Sequence, residues 1–251
     1  MYHFFTETEF FSGSEAVITG PDVNHIKNVL RMKPGERVLL SDGKGTNCLC
    51  ELMEIGSKEV RAKILPEPVK DTELPVSVTL FQGLPKADKM EWIVQKAVEL
   101  GVSGVVPVQM ERSVVKLDAK KAESRRARWN SIAESAAKQS KRMIVPGVGA
   151  LKTYGQVMEE LSSFDLALLP YEDSESLSGA GGMSLTRRLI GELKPGMRCA
   201  VIIGPEGGFS DKEVATALQC GARSITLGKR ILRTETAGLF VLSAIGFALE
   251  E

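Results

Sequence analysis

The chain has 251 residues, 43% of them hydrophobic and 25% charged, an ordinary balance for one large or two smaller globular domains. Lys plus Arg and Asp plus Glu both number 32, so the formal net charge is zero, and no apolar run reaches the roughly 18 residues that a membrane span needs. With only His3 and His25 available and no GxSxG turn, hydrolytic chemistry of the Ser/His/Asp or Cys/His kind is poorly supported.

Up to about residue 72 the chain reads as short strands: Ala16–Ile18, Arg37–Leu40, Asn47–Ile55 and Glu59–Leu65. Turn signals at Lys33-Pro34-Gly35-Glu36 and Asp42-Gly43-Lys44-Gly45 separate them, and Pro21–Met32 suits one helix. This predicts a small β-rich, barrel-like domain over 1–72. The proline- and charge-rich stretch Pro66–Pro75 suits a boundary.

Beyond it, apolar runs alternate with helical periodicity. Strands are expected at Val76–Phe81, Gly104–Gln109, Ile144–Val148, Asp165–Leu169, Arg198–Ile203 and Ser224–Leu227. Helices are expected at Lys89–Leu100, Ala119–Ser140, Thr153–Ser162, Leu185–Leu193, Asp211–Cys220 and Glu235–Leu249. Gly101 follows the first of these helices at a position where a left-handed residue is easily accommodated. The alternation predicts an α/β domain over 73–251 with a mostly parallel, doubly covered sheet. The Ser/Gly stretch Ser174–Ser184 is expected to be a mobile loop.

Cys48, Cys50, Cys199 and Cys220 form no CxxC pair and, with two histidines, match no zinc spacing. No metal and no disulfide framework is expected, and the four read as small hydrophobes. Met1 to Phe11 lacks the regions of a signal peptide, so the expected compartment is the cytoplasm.

The zero net charge conceals an asymmetry. Between Arg112 and Arg142 stand ten Lys or Arg against three Asp or Glu. Such a block fits a phosphate-binding surface or a solvated helix face laced with salt bridges. Trp92 and Trp129 fall within helical patterns and read as packing residues.

Two loops carry the chemical signal. Gly204-Pro-Glu-Gly-Gly-Phe-Ser210 follows the apolar strand Ala200–Ile203, and Ser210 with Glu213 has capping-box spacing, so a helix starts there. Strand, glycine-rich turn, helix is a ligand-binding arrangement in open α/β sheets. The motif is neither GxGxxG nor a Walker A, so a nucleotide-dependent enzyme lacks its phosphate loop. Leu227-Gly-Lys-Arg-Ile-Leu-Arg-Thr-Glu-Thr-Ala237 likewise follows a short strand and precedes the last helix. The two loops together can hold an adenosine-sized ligand. Arg233 suits contact with an anion, or is an ordinary surface arginine.

GPEGG followed by LGxRILRTETA resembles the SPOUT superfamily of knotted methyltransferases, and within it the ribosomal small-subunit RNA methyltransferase E family. Further matching segments are Val29-Leu30-Arg31 with Lys33-Pro34-Gly35, Gln95–Val102, Arg112-Ser-Val-Val115, Arg128-Trp129, and Glu134–Arg142 with Pro146, so the resemblance spans essentially the whole chain. Phe4 and Phe5 depart from it, standing where an arginine is expected. The resemblance implies a PUA-like RNA-binding β-barrel over 1–72 and a trefoil-knotted α/β domain over 73–251. It implies S-adenosylmethionine as cofactor, a homodimer, and methylation of N3 of a uridine in 16S ribosomal RNA, free or in the small subunit.

The residues it implies for the cofactor are Leu169, Pro170, Gly204, Pro205, Glu206, Gly207, Gly208, Leu227, Gly228, Ile231 and Leu232. Arg233 and Glu206 are the catalytic candidates, one as a cation stabilising the uridine anion and the other as a base. The other reading of Glu206, and the one favoured over the base, is that its carboxylate only holds the loop by accepting backbone N–H bonds. Lys27 and Arg31, four apart and so on one face of the expected helix, join Arg112, Arg125, Arg128 and Arg142 as candidates for RNA contact. The competing reading is a non-catalytic RNA-binding assembly factor, which S-adenosylmethionine binding would separate from the enzyme.

Overall fold

The computed structural model describes residues 1–171 and 182–250. The chain divides into two compact units, Met1–Glu73 with Ala137–Val145, and Leu74–Ala136 with Pro146–Glu251. The first unit therefore takes in a short segment, 137–145, that a linear reading assigns to the second domain.

Among the described residues the first unit forms a six-stranded sheet from β1 (His3–Phe5), β2 (Phe11–Ser12), β3 (Glu15–Thr19), β4 (Arg37–Ser41), β5 (Asn47–Ile55) and β6 (Glu59–Ile64), in the order β1-β4-β5-β6-β3-β2. β1 pairs parallel with β4, and the other pairings are antiparallel. Alternate residues point inward, so Ile18, Val38, Leu40, Leu52 and Val60 share one core with Phe4 and Ile26. Thr6, just past β1, donates its hydroxyl to the Val17 carbonyl of β3 at 2.7 Å, which ties the two ends of the sheet into a barrel-like curl.

The single helix expected over Pro21–Met32 is broken in two. α1 (Pro21–Asn24) opens with Pro21 in its first turn and runs into a π turn, His25–Val29, where the Leu30 N–H reaches the His25 carbonyl at 2.8 Å. Arg31 then takes left-handed backbone (φ +52°), which turns Met32 into the core. The expectation that Lys27 and Arg31 share one helix face is therefore corrected: the wider turn and the reversal at Arg31 remove the four-residue stacking on which it rested.

The second unit alternates strand and helix: β7 (Ser77–Gly83), α2 (Lys89–Glu99), β8 (Gly104–Gln109), α3 (Ala119–Ser140), β9 (Gly147–Val148), β10 (Lys152–Thr153), α4 (Tyr154–Glu160), β11 (Leu166–Pro170), α5 (Gly182–Gly191), β12 (Arg198–Ile203), α6 (Asp211–Gln219), β13 (Arg223–Ile225) and α7 (Thr234–Leu249). α3 carries the chain out of this unit at Ala137. The strands form one parallel sheet in the order β10-β8-β7-β12-β11-β13, with β9 also on β8. Central β12 is buried at every position after Arg198, as a strand covered on both faces must be. α2 buries Met90, Ile93, Val94, Ala97 and Val98, a stripe at helical spacing, and ends at Gly101 with φ +87°. Among the described residues, no helix is long and apolar enough to cross a membrane.

Three expectations change. Residues 174–181 of the expected mobile loop lie outside the described residues, while 182–184 open α5. Trp129 is buried as expected, but Trp92 is 53% exposed, with the Lys96 ammonium 5.2 Å from its ring. Cys50 and Cys199 are buried, whereas Cys48 is half-buried and Cys220 is exposed, because Cys220 caps the C-terminus of α6 on its outer side.

Candidate active site

β11, β12 and β13 are neighbours in the parallel sheet, so their C-terminal ends, Pro170, Ile203 and Ile225, stand side by side. The crevice beyond such strand ends is the usual ligand position in open α/β sheets. Here it is a cleft of about 510 Å³, lined by Pro170 and Tyr171, by 203–209, and by 226–234 with Ala237.

The first wall is the glycine turn after β12. The Gly208 N–H donates to the Pro205 carbonyl at 2.9 Å, and Gly208 takes φ +69°, a conformation other residues adopt only with strain. A side chain at Gly207 would meet different trouble. Its Cβ would sit 2.9 Å from Arg112 Cβ and 3.1 Å from the Arg112 carbonyl. The turn is seated on the end of β7, where a Cβ at Gly83 would stand 2.6 Å from the Pro205 nitrogen. After the turn, Ser210 and Glu213 form the expected capping box that opens α6.

The second wall is the loop 226–233. Gly228 has φ +104°, and its N–H donates to the Thr226 hydroxyl at 3.2 Å. Arg233 caps α7 with extended backbone, its side chain exposed and not bonded to the helix end. Next to it, Thr234 is buried. Its hydroxyl donates to the Gly204 carbonyl at 2.6 Å and accepts from the Gln82 amide at 2.8 Å, which fastens the two loops together.

Glu206 accepts from the Lys86 N–H at 3.0 Å and pairs with Lys89 Nζ at 3.1 Å, and Lys89 also lies 3.3 Å from Glu235. Burial by itself would raise the Glu206 pKa. The Lys86 N–H, its own backbone N–H and the Lys89 ammonium outweigh burial and hold it below the ordinary carboxylate value. A carboxylate so engaged is a weak proton acceptor near neutral pH, so its geometry fits loop fastening better than general-base work.

Of the cofactor candidates, Pro170, Gly204, Pro205, Glu206, Gly207, Gly208, Leu227, Gly228, Ile231 and Leu232 all line the cleft. Leu169 does not. It is fully buried in the core cluster that holds Phe81, Ala200 and Ile202, while Pro170 is the residue that reaches the strand end. Arg233 lines the cleft as well.

The RNA candidates scatter. Arg112 lines the cleft, donating to the Gly207 carbonyl at 3.3 Å. Arg125 is exposed on α3, and Arg128 is exposed but paired with Glu91 at 2.7 Å. Lys27 and Arg31 are exposed in the first unit. Arg142 is corrected: it is 3% exposed and forms an ion pair with Glu73, so its guanidinium is taken up inside the first unit. Motif reading missed Gln82, Gly83 and Lys89. Their only sequence signal is the glycine-proline turn, Gly83-Leu84-Pro85, after an apolar strand.

The family model described as an RNA methyltransferase domain matches residues 72–246, and the one described as an RNA methyltransferase PUA domain matches residues 18–65. The ribosomal RNA small subunit methyltransferase E of Bacillus subtilis (strain 168) is 40% identical over 233 residues, covering 93% of this chain and 90% of that protein. The enzyme of that name from Mycobacterium tuberculosis is 31% identical over 97% of this chain and 90% of its own length. A crystal structure of a ribosomal RNA small subunit methyltransferase E from Neisseria gonorrhoeae, bound to S-adenosylmethionine, superposes with a TM-score of 0.82 at 33% identity, covering 98% of this chain and 97% of that one. On its sequence, its fold and the paired glycine loops of its cleft, the chain belongs to the ribosomal RNA small subunit methyltransferase E family of RNA methyltransferases.

Proposed function

We propose that the protein transfers a methyl group from S-adenosylmethionine to N3 of a uridine in 16S ribosomal RNA. The observation that carries this reading is the single cleft formed by Gly204–Gly208 and Leu227–Arg233 at three adjacent parallel strand ends. Its size lies within the range of about 300–1,000 Å³ common for small-molecule sites. Pro170, Ile203, Leu227, Ile231, Leu232 and Ala237 offer apolar surface for an adenosine. Arg112, Lys229, Arg230 and Arg233 surround it with positive charge, suited to a carboxylate and to RNA phosphate.

S-adenosylmethionine, when bound, supplies an electrophilic methyl group on a sulfonium. The glycine turns bring backbone close enough to fix the donor, and alignment of donor and acceptor is worth roughly 7–11 kcal/mol in favourable cases. The uridine N3–H gives its proton to water in the open cleft before or as N3 takes the methyl group, and the sulfur leaves as the neutral thioether of S-adenosylhomocysteine. Arg233 stands free at the cleft to stabilise the resulting anion, while Glu206 keeps Lys89 and the Lys86 N–H in place.

The knotted connectivity of the family is part of this proposal, as is a two-fold homodimer through the second unit. The support for pairing is α7, where Phe247 is 92% exposed and Phe240 is 37% exposed on a helix that buries Ala237, Gly238, Val241, Leu242 and Ile245. The cytoplasm, where ribosomal RNA is processed, completes the reading.

Mass analysis of ribosomal RNA nucleosides with and without the gene tests it. Loss of N3-methyluridine is the expected result. Loss of a ribose methylation would overturn the acceptor atom, and no lost mark would favour the non-catalytic assembly factor.

A further inference from the structure

The turn that follows β8 is tied to the start of α6 and closed on itself. The Glu111 N–H donates to the Glu213 carboxylate at 2.9 Å, and the Ser210 hydroxyl donates to the Glu111 carboxylate at 2.8 Å. The Ser113 N–H reaches the Met110 carbonyl at 3.1 Å, and the Ser113 hydroxyl accepts from the Met110 N–H at 3.2 Å. The backbone of Arg112 is thereby fixed, while the residue itself is exposed at the cleft.

Its side chain lies across Gly207. A Cβ at Gly207 would stand 2.9 Å from Arg112 Cβ and 3.7 Å from Arg112 Cδ, and the guanidinium donates to the Gly207 carbonyl at 3.3 Å. That carbonyl shares one peptide plane with the Gly208 N–H, which donates to the Pro205 carbonyl. The central peptide of the glycine turn is therefore held by Pro205 on one side and by Arg112 on the other. The Arg112 hold is the weaker one. Its length is just past the usual range, water competes for it, and a long side chain gives up rotamer freedom to make it.

A guanidinium carries several N–H donors in a planar fork, so one can hold Gly207 while others meet a phosphate. Among the described residues no carboxylate pairs with Arg112, whereas Lys89 and Arg128 are already engaged. A phosphate on the guanidinium orders the side chain, and the bond to Gly207 then forms with little of that entropic cost left.

We propose that Arg112 is a positioning residue that couples the two substrates: an RNA phosphate on its guanidinium tightens the hold on Gly207 and so raises affinity for the methyl donor. RNA as the source of the phosphate rests on the methyltransferase reading above. By linkage, the cofactor raises affinity for RNA by the same factor, so the complex of all three is favoured over either pair.

The test measures S-adenosylhomocysteine binding by equilibrium dialysis, with and without small-subunit ribosomal RNA from cells lacking the gene. The demethylated product is used so that no methyl group is transferred during the measurement. RNA is expected to tighten its binding to the parent about fivefold, at the low end of ordinary couplings. Arg112→Lys keeps the charge but not the fork. It should melt with the parent, bind the product alone as the parent does, and show no tightening at saturating RNA. Arg230 lines the cleft but donates nothing to the glycine turn, so Arg230→Lys should keep the fivefold effect. A parent affinity unmoved by saturating RNA would overturn the coupling. So would full tightening in Arg112→Lys, or loss of tightening in Arg230→Lys as well. Binding already lost in Arg112→Lys without RNA would place the guanidinium on the cofactor carboxylate instead, and inorganic phosphate reproducing the effect would overturn RNA as its source. A parent that binds RNA but no S-adenosylhomocysteine under either condition would sink the methyltransferase reading itself, whereas independent binding of both sinks only the coupling.

Discussion

The Thr234 hydroxyl donates to the Gly204 carbonyl at 2.6 Å, so the first residue of the last helix holds the first residue of the glycine turn. The Gln82 amide completes the chain from the other side at 2.8 Å. Thr234→Val keeps the shape and removes the hydroxyl, stranding the Gly204 carbonyl and one of the two Gln82 amide protons, the other still reaching the Gly83 carbonyl at 3.0 Å. Each stranded group costs about 1–3 kcal/mol. We expect a lower melting temperature and a cofactor affinity reduced about tenfold, which at 1.4 kcal/mol per decade needs only part of that loss to fall on the loops. Thr234→Ser should restore both. Calorimetry with S-adenosylmethionine checks this, and equal affinities for Val and Ser would show that the link does not shape the cleft.

The two central glycines of the turn are expected to fail differently. Gly208→Ala meets no neighbouring atom within 4 Å but must hold φ +69°, which costs an L-residue about 1–2 kcal/mol. Gly207→Ala pays no such penalty but pushes its Cβ into Arg112 Cβ and the Arg112 carbonyl. Gly208→Ala should therefore lose stability with modest change in cofactor affinity. Gly207→Ala should displace the Arg112 segment and lose cofactor binding more than stability. Paired thermal melts and calorimetry separate the two, and the reverse ordering would refute this account of the turn.

Both glycine loops were legible because their requirement is local: a strand must end, a turn must let a ligand approach backbone, and Ser210 with Glu213 must start a helix. Gly83 and Lys89 were not legible, because what they do is set across the fold. Gly83 is constrained by Pro205, and Lys89 by Glu206 and Glu235. Arg142 failed for the same reason. A charge count puts it in a basic block, but its partner Glu73 lies 69 residues away and takes it out of solvent. The break in the expected helix at His25 had no motif to announce it, since a π turn is set by which side chains the barrel core must seat, here Ile26 and Met32.

Glu206 gives a pH signature. Its folded-state pKa is depressed, so its contribution to stability is present above the unfolded value, about 4.3, and is lost as pH falls through the lower folded value. The melting temperature of the parent should exceed that of Glu206→Gln at pH 6–8 and converge with it in acid, as pH falls through the depressed folded value. Methylation by Glu206→Gln should be reduced but not abolished, since the residue positions Lys89 rather than taking the proton. A complete loss of turnover with unchanged cofactor binding would restore it as the general base.

Phe247 tests the proposed dimer. At 92% exposure on α7 it leaves an aromatic ring in water unless a second chain covers it. Phe247→Asp should convert the species seen by light scattering at micromolar concentration from dimer to monomer. A parent protein that is itself monomeric there would remove the dimer from the proposal.

Arg233 separates acceptor chemistry from cofactor binding. It lines the cleft, is exposed, and lends only its backbone carbonyl to the first turn of α7, to the N–H groups of Thr236 at 2.8 Å and Ala237 at 2.9 Å. Arg233→Ala should therefore fold and bind S-adenosylmethionine as the parent does. Without its cation the uridine anion loses electrostatic stabilisation, and removing one such donor from an active site commonly costs about 10²–10³ in rate. N3-methylation replaces the donor on the base-pairing edge of uridine, so the mark should arrest reverse transcription at one position of small-subunit RNA. That stop should vanish on deletion of the gene, return with the parent chain, and stay absent with Arg233→Ala. Arg233→Lys, which keeps the charge but not the planar fork, should restore it in part. A normal stop in Arg233→Ala cells would place the stabilising cation elsewhere in the cleft, with Arg112 and Arg230 the next to be replaced.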